Sequence, residues 1–466
     1  MPDTVLAVDV GSTWCKAAYL DGEGRTLATG RAYTRTIPNG RESTLAGFWQ
    51  ACQAAVRAAS DALADPLRPT AIGISTRALF GVCLERSGKG YLPAWDVVLD
   101  RQSSPDLQQV YSTAVWGERQ PTAYGYAIGQ AGLLRWLRRA RPDDWRNIWR
   151  TGSLHDYIVY RLTGEWVTDP TSGPGQATWP AEIFALTGLP PSVFPTILEP
   201  HCLAGVLTTD AGAALGLPTG IPVVAGLHDG AAANIGIGAV EVGDACLTLG
   251  TNFVLRAVNG LHLPVPATGY LVAPERWAWV NNVPAASPQL DTVAECLLAQ
   301  VAAVADRHTQ LGRLAEPIAP GADGFLLQLI RPGQEAVLAE AVQTARQAGH
   351  ADGVIYRAGL EALAFGVKNL IHRAQRDGAR PRRFVATGGS AQNLAFLRVL
   401  AAVLGAPVEI GSSEGGLLGA GMAAAVGAGW YATLDEARAR MGSAGPVVQP
   451  DPAAVAAYQA CSRAAT

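Results

Sequence analysis

Cysteine is scarce and badly placed for any covalent or metal framework. The chain of 466 residues has seven (Cys15, Cys52, Cys83, Cys202, Cys246, Cys296, Cys461), an odd and scattered set with no Cys-x-x-Cys pair. Neither a disulfide scaffold nor a structural zinc site is expected, and a reducing compartment fits. Long hydrophobic runs are missing too, since no apolar stretch reaches the roughly 18 residues that span a bilayer. The opening "MPDT" leads into a strand-like run with no basic n-region and no apolar h-region. A soluble, unexported, cytoplasmic protein is therefore expected. Charge of one sign is also lacking, because the formal net charge is −3. The Arg-rich "RWLRRARPDDWR" (Arg135 to Arg146) is broken by acids and tryptophans, which reads as a solvated helix face. No nucleic-acid or membrane partner is expected.

What is present suits two packed cores. Hydrophobic residues make up 49% and the mean hydropathy is +0.14, ample for a chain of this length. From Thr4 to Thr34, short β-rich runs ("VLAVDV", "KAAYLD", "TLATGRAYT") alternate with turns and predict a β-meander. "TLAGFWQACQAAVRAASDAL" (Thr44 to Leu63) has helical apolar spacing, and "TAIGIST" and "GVCLERSGKGYLPAWDVVLD" return to strands. A mixed α/β fold follows. Further helices are predicted at 128–140, 152–162, 208–216, 290–312, 353–377, 390–404 and 415–429. A second meander is predicted from "GIPVVAGLHD" through "GDACLTLGTNFVLRAV", and the domain boundary near Gly238 (1–238, 239–466).

Four segments could carry chemistry. In "VDVGSTWCK", Gly11 permits a tight turn whose Gly11, Ser12 and Thr13 amides could face an anion. Asp9, at the end of the preceding strand, could hold a hydrated Mg²⁺. An ordinary hairpin with a solvated aspartate explains the same residues. About 240 residues on, "LTLGTN" repeats the arrangement with Gly250, Thr251 and Asn252, as an ancient duplication would. "VVAGLHDGAAANIGIGA" ends an apolar strand at His228-Asp229 and starts a small-residue helix. Asp229 is either a capping carboxylate or a general base for a hydroxyl, with His228 a packing or supporting residue. "FVATGGSAQNLAFL" reads as strand, Gly388-Gly389 turn and helix. The glycines would admit a planar ring and Asn393 an adenine edge, unless they only make a tight β–α turn. The Gly419-x-Gly421-x-x-Ala424 pattern resembles a dinucleotide fingerprint but lacks its preceding strand, so close helix packing is the better reading.

The order of these segments resembles the FGGY family of carbohydrate kinases, within the actin-like ATPase superfamily. The resemblance rests on "VDVGST", "DYIVYRLTGEWVTDPTSG" (Asp156 to Gly173), "PVVAGLHDGAAANIGIGAVEVGDACLTLGTN", "IYRAGLEALAFGVKNLI", "TGGSAQN" and "GGLLGAGMAAAVGAG". It implies an α/β fold of two ribonuclease-H-like lobes with an active-site cleft. The N-terminal lobe would bear the sugar site and first phosphate loop, and the C-terminal lobe would bind ATP. Asp229 matches the family's catalytic base and Asp9 its Mg²⁺-associated carboxylate, with Asp229 also near the metal. Gly11, Ser12 and Thr13 match the first phosphate loop, Gly250 and Thr251 the second, and Gly388, Gly389 and Asn393 the adenosine turn. A homodimer is frequent in the family.

The sugar half departs from the family pattern. A Trp-x-Asp-x-Arg segment is here "VLDRQ", which keeps Asp100 but has Val98 and Gln102. The Met-His-Gly of xylulokinases is Leu79-Phe80-Gly81, after Arg77, and Arg398 and Ala402 stand where xylulokinase-like members tend to have Gln and Asp. Candidate sugar contacts are Arg77, Phe80, Asp100 and Asp229, with Arg77 suited to an acidic sugar. A xylulose-like pentulose ranks first by overall pattern, ahead of gluconate, erythritol-like polyols and glycerol. An actin-like ATPase regulator or an inactive sugar-binding protein is the alternative of another class. Trp14 is expected to wedge between the lobes.

Overall fold

The computed structural model describes residues 3–34, 45–77, 80–85, 91–92, 127–260, 269–442 and 445–464. The chain forms two compact units. The first comprises 1–240, 260–277 and 414–443, and the second 241–259, 278–413 and 444–466. A single division at Gly238 leaves out these later returns, which place 260–277 and 414–443 with the first unit.

The first unit is built on strands β1 (Val5–Val10), β2 (Trp14–Leu20), β3 (Thr26–Tyr33) and β4 (Ala71–Thr76). β1 to β3 form the expected antiparallel meander, while β4 lies parallel to β1 on its other side. Beyond β4 the sheet continues through Pro222–Val224 and Leu203–Val206, and Leu227–His228 also pairs with β4. Because successive strand side chains point to opposite faces, β1 divides cleanly. Leu6, Val8 and Val10 join a core with Phe48, Cys52, Ala55 and Val56 of helix α1 (Leu45–Asp61). Ala7 and Asp9 face the Gly415–Gly427 helix instead, where a Cβ added at Gly421 or Gly416 would meet them. A strand covered on both faces needs a near-continuous apolar run, and Asp9 is its one interruption.

The Gly415–Gly427 helix is buried on nearly every side, as a helix apolar all round must be. It also packs backbone to backbone on the Asp229–Gly236 helix. A Cβ at Gly419 would lie 2.0 Å from the Ala232 oxygen, and one at Gly236 2.0 Å from the Gly415 oxygen. Close packing thus accounts for the fingerprint-like glycines.

In the second unit, Asp244–Leu249 and Phe253–Asn259 form a hairpin around Gly250 to Asn252, and Arg383–Thr387 lies parallel to the first of them. The first unit has the same plan, a hairpin whose leading strand has a parallel neighbour. Helices Asp352–Arg376 and Leu394–Leu404 supply core residues such as Leu363 and Phe396, and the Phe396 and Phe253 rings meet at a tilt, their centroids 5.2 Å apart.

Several expectations need correction. "GIPVVAGLHD" does not begin the second meander, because its strands pair with β4 in the first sheet. The 290–312 helix is two helices, Ala286–Leu297 and Val304–Ala315. The break at Leu298 lies in an apolar stretch without Gly or Pro, so periodicity runs across it unmarked. Helices at Ala181–Thr187, Glu335–Gln347, Leu434–Met441 and Pro452–Ala464 were not foreseen. No helix among the described residues is long and apolar enough to cross a membrane.

Candidate active site

In the first unit, register brings two carboxylates to the ends of the strands on either side of β4. Asp9 of β1 lies opposite Ser75 of β4, and on the other side of β4, Leu227 lies opposite Ser75 and His228 opposite Thr76. Asp229 follows as the first residue of the Asp229–Gly236 helix. The Asp9 side chain is half-buried and accepts a hydrogen bond from the Ser75 hydroxyl at 2.5 Å. Burial pushes its carboxyl from 3.8 up to about 7, against the lowering pull of Ser75; the Asp229 charge raises it further, Lys16 lowers it and Glu414 raises it. Lys16 is itself engaged by both oxygens of Glu414, at 2.7 and 2.9 Å. A hydrated divalent cation fits this donor set. It would offset the repulsion between two hard-oxygen ligands, and Mg²⁺ keeps most of its waters when few carboxylates hold it. No group of three or more His, Cys, Asp or Glu poised for a metal occurs among the described residues.

The turn after Asp9 differs in detail from expectation. The Gly11 amide is spent within the hairpin, donating to the Trp14 oxygen at 3.0 Å. Thr13 is tied down through its carbonyl, which accepts from the Thr34 amide at 2.9 Å. Ser12 and Thr13 are exposed, so only their amides remain as candidates for an anion. The described contacts of the Trp14 ring are with its own sheet: it lies edge-on to Tyr33 at 5.5 Å, with the Arg31 guanidinium over it at 5.0 Å.

Of the remaining sugar candidates, Arg77 directly follows β4, half-buried, its amide donating to the Val10 oxygen at 2.9 Å. Phe80 opens the Phe80–Glu85 strand opposite Ser153, and Asp100 lies outside the described residues.

In the second unit, Gly250, Thr251, Gly389 and Asn393 line one cavity of about 1480 Å³. Ser287 ties its two turns together, donating to the Gly250 oxygen at 2.6 Å and meeting the Ser390 hydroxyl at 2.8 Å. Gly388, beside the lining, has φ +94°, and an added Cβ would sit 2.9 Å from the Leu249 oxygen. Glycine is required there for both reasons. Asn393, inside the helix predicted at 390–404, is instead at the N-cap of Leu394–Leu404, its oxygen accepting from the Phe396 amide at 3.1 Å. Its Nδ2 donates to the Tyr356 hydroxyl at 3.1 Å, so its amide positions the turn. Tyr356 in turn meets His308, which meets Asp291, each at 2.8 Å. Asn252 likewise holds structure, accepting from the Ala285 amide at 2.9 Å.

Sequence reasoning missed Ser75, Lys16, Glu414, Ser287 and the Asp291–His308–Tyr356 chain. Their signal lies in strand register and tertiary contact rather than in any local motif.

Known proteins of this architecture supply the context. The FGGY family of carbohydrate kinases matches with its N-terminal domain over residues 4–236 and its C-terminal domain over 247–428. A xylulose kinase of Escherichia coli is 26% identical over 482 aligned residues, covering 97% of this chain and 96% of its own. An autoinducer-2 kinase of Yersinia enterocolitica is 25% identical, covering 93% and 88%. The crystal structure of a xylulose kinase from Rhodospirillum rubrum superposes with a TM-score of 0.76 at 24% identity, covering 99% of this chain and 97% of that one. The fold is therefore the two-lobe, actin-like α/β architecture of that family.

Proposed function

The chain belongs to the FGGY family of carbohydrate kinases, a sugar kinase with ATP as its implied phosphoryl donor, and from that premise we propose its reaction in detail. It transfers the γ-phosphate of MgATP to a hydroxyl of a small sugar or polyol, a xylulose-like pentulose first, with Asp229 as general base. The observation that carries this reading is the pair of carboxylates at the ends of the two strands that flank β4, Asp9 and Asp229, with the Asp229 charge acting on Asp9.

Asp229 orients the acceptor hydroxyl and takes its proton as the oxygen forms a bond to the γ-phosphorus. The bond from that phosphorus to the β,γ-bridging oxygen breaks, and its electron pair leaves on ADP. Asp9, with Asp229, would hold a Mg²⁺ that neutralises phosphate charge. The Ser12 and Thr13 amides and Thr251 are assigned to phosphate oxygens, and Gly388, Gly389 and Asn393 shape the adenosine end of the 1480 Å³ cavity. Arg77, Phe80 and Asp100 are assigned to the sugar, the first unit bearing the acceptor and the second ATP.

Relatives of nearly equal identity are named for xylulose and for autoinducer-2, so the acceptor must be found by assay. Half-buried Arg77 keeps gluconate in the panel. The test is coupled ADP release across ketopentoses, aldonates and polyols, with wild-type protein and Asp229→Asn. Acceptor-dependent turnover that falls by about 10²-fold or more in the variant, with MgATP binding kept, is expected. Turnover that no acceptor accelerates would instead favour an ATPase or regulator of the same fold.

A further inference from the structure

We propose that His228 is a positioning residue that aims the Asp229 carboxylate, in a tautomer dictated by the helix that Asp229 begins. The inference rests on the reading of Asp229 as the base.

The ring of His228 is buried, 5% exposed. Its Nδ1 accepts a hydrogen bond from the Gly230 amide at 3.1 Å and so serves as N-cap of the Asp229–Gly236 helix. A backbone N–H can only donate, so Nδ1 carries no proton, and the proton of the neutral imidazole is on Nε2. Nε2 lies 3.0 Å from Asp229 Oδ1. The helix terminus thus leaves the ring proton on the nitrogen that lies beside the carboxylate.

The ring cannot easily turn away. It packs on Tyr270 with centroids 4.5 Å apart, and its backbone amide donates to the Thr171 hydroxyl at 2.9 Å. Thr171 is held by the fully buried Asp169, to which its hydroxyl and amide donate at 2.5 and 2.7 Å. Engaging one carboxylate oxygen of Asp229 fixes the plane of the group, and with it the direction of the lone pairs on the other oxygen. A base held in its working orientation need not be ordered during the reaction, and misplacement by about 1 Å costs on the order of 10²-fold.

The two functions of the ring can be separated. His228→Asn keeps an acceptor for the helix terminus, asparagine being a favoured N-cap, but loses the donor to Asp229. His228→Gln keeps a donor at the ε position and loses the short acceptor. The assay uses the best acceptor among xylulose, gluconate, erythritol and glycerol. For His228→Asn, kcat should fall about 10- to 100-fold with the acceptor KM within about threefold and the melting temperature nearly unchanged. His228→Gln should melt earlier yet keep the higher kcat. Combining His228→Asn with Asp229→Asn should slow the enzyme no further than Asp229→Asn alone, since a residue acting through the base has no effect once the base is gone. Wild-type kcat in His228→Asn, activities that track melting temperature, or a further loss in the double variant would each overturn the proposal. An active Asp229→Asn, or wild-type turnover that no acceptor accelerates, would instead remove the reading on which it rests.

Discussion

Gly419→Ala sets helix propensity against the packing seen here, and the two predict opposite signs. Position 419 is inside a helix with ordinary backbone angles, where alanine is favoured over glycine by roughly 1 kcal/mol. The structure puts the new Cβ 2.0 Å from the Ala232 oxygen and 2.7 Å from its carbonyl carbon. Both are backbone atoms that no rotamer change can move. To reach the 3.4 Å of ordinary contact the two helices must part by roughly 1.4 Å. Overpacking of this kind costs about 1–3 kcal/mol, so once the roughly 1 kcal/mol of propensity is set against it, a net loss of up to about 2 kcal/mol is expected by chemical denaturation. Ala232 lies one turn after Asp229 in the displaced helix, so kcat should also fall, by about 10- to 100-fold. Gly427→Ala in the same helix is no substitute control, since its Cβ meets the Val224 side chain and the His201 oxygen. A Gly419→Ala protein more stable than wild type and fully active would refute the reasoning.

The elements legible in the sequence are those whose chemistry is local. Alternation in "VLAVDV" places Asp9 on the face opposite Leu6, Val8 and Val10, and the apolar spacing of 45–61 gives α1 nearly to the residue. The break at Leu298 was invisible because the apolar pattern continues through it, and the fate of "PVVAGLHD" because a strand's partner is not written in its own residues. The site divides in the same way. Gly388 is legible because only glycine tolerates its φ, whereas the partners of the Asn393 amide, Phe396 and Tyr356, are not, one of them lying 37 residues away. His228 reads in the sequence as packing or supporting, and its proton is assigned only by the Gly230 amide, a three-dimensional fact about where a helix starts.

Three further outcomes follow from the same geometry. Gly388→Ala meets both a positive φ and the Leu249 backbone, so it should raise the KM for ATP at least about tenfold while costing about 1–3 kcal/mol of stability; an unchanged KM would detach this turn from the nucleotide. Asn393→Ala removes the cap of Leu394–Leu404 and should cost about 0.5–2 kcal/mol by denaturant titration, a loss that Asn393→Asp should largely restore; failure of that rescue would show that the cap is not what Asn393 contributes. Asp156, buried in the capping box with Ser153, gives a pH-dependent test. Burial pushes its carboxyl from 3.8 up to about 6, against the lowering effects of His155 and the Ser153 amide. The folded state therefore binds the proton more tightly than the unfolded chain does. Its relative stabilisation is complete below pH about 4 and is lost as pH rises through about 6, by up to about 3 kcal/mol. Asp156→Asn keeps an acceptor for the Ser153 amide, which donates to this side chain at 2.6 Å, but never has to ionise. It should unfold later than wild type at pH 8 and lose that advantage toward pH 4. A stability difference that stays constant across this range would mean that Asp156 does not titrate as its burial requires.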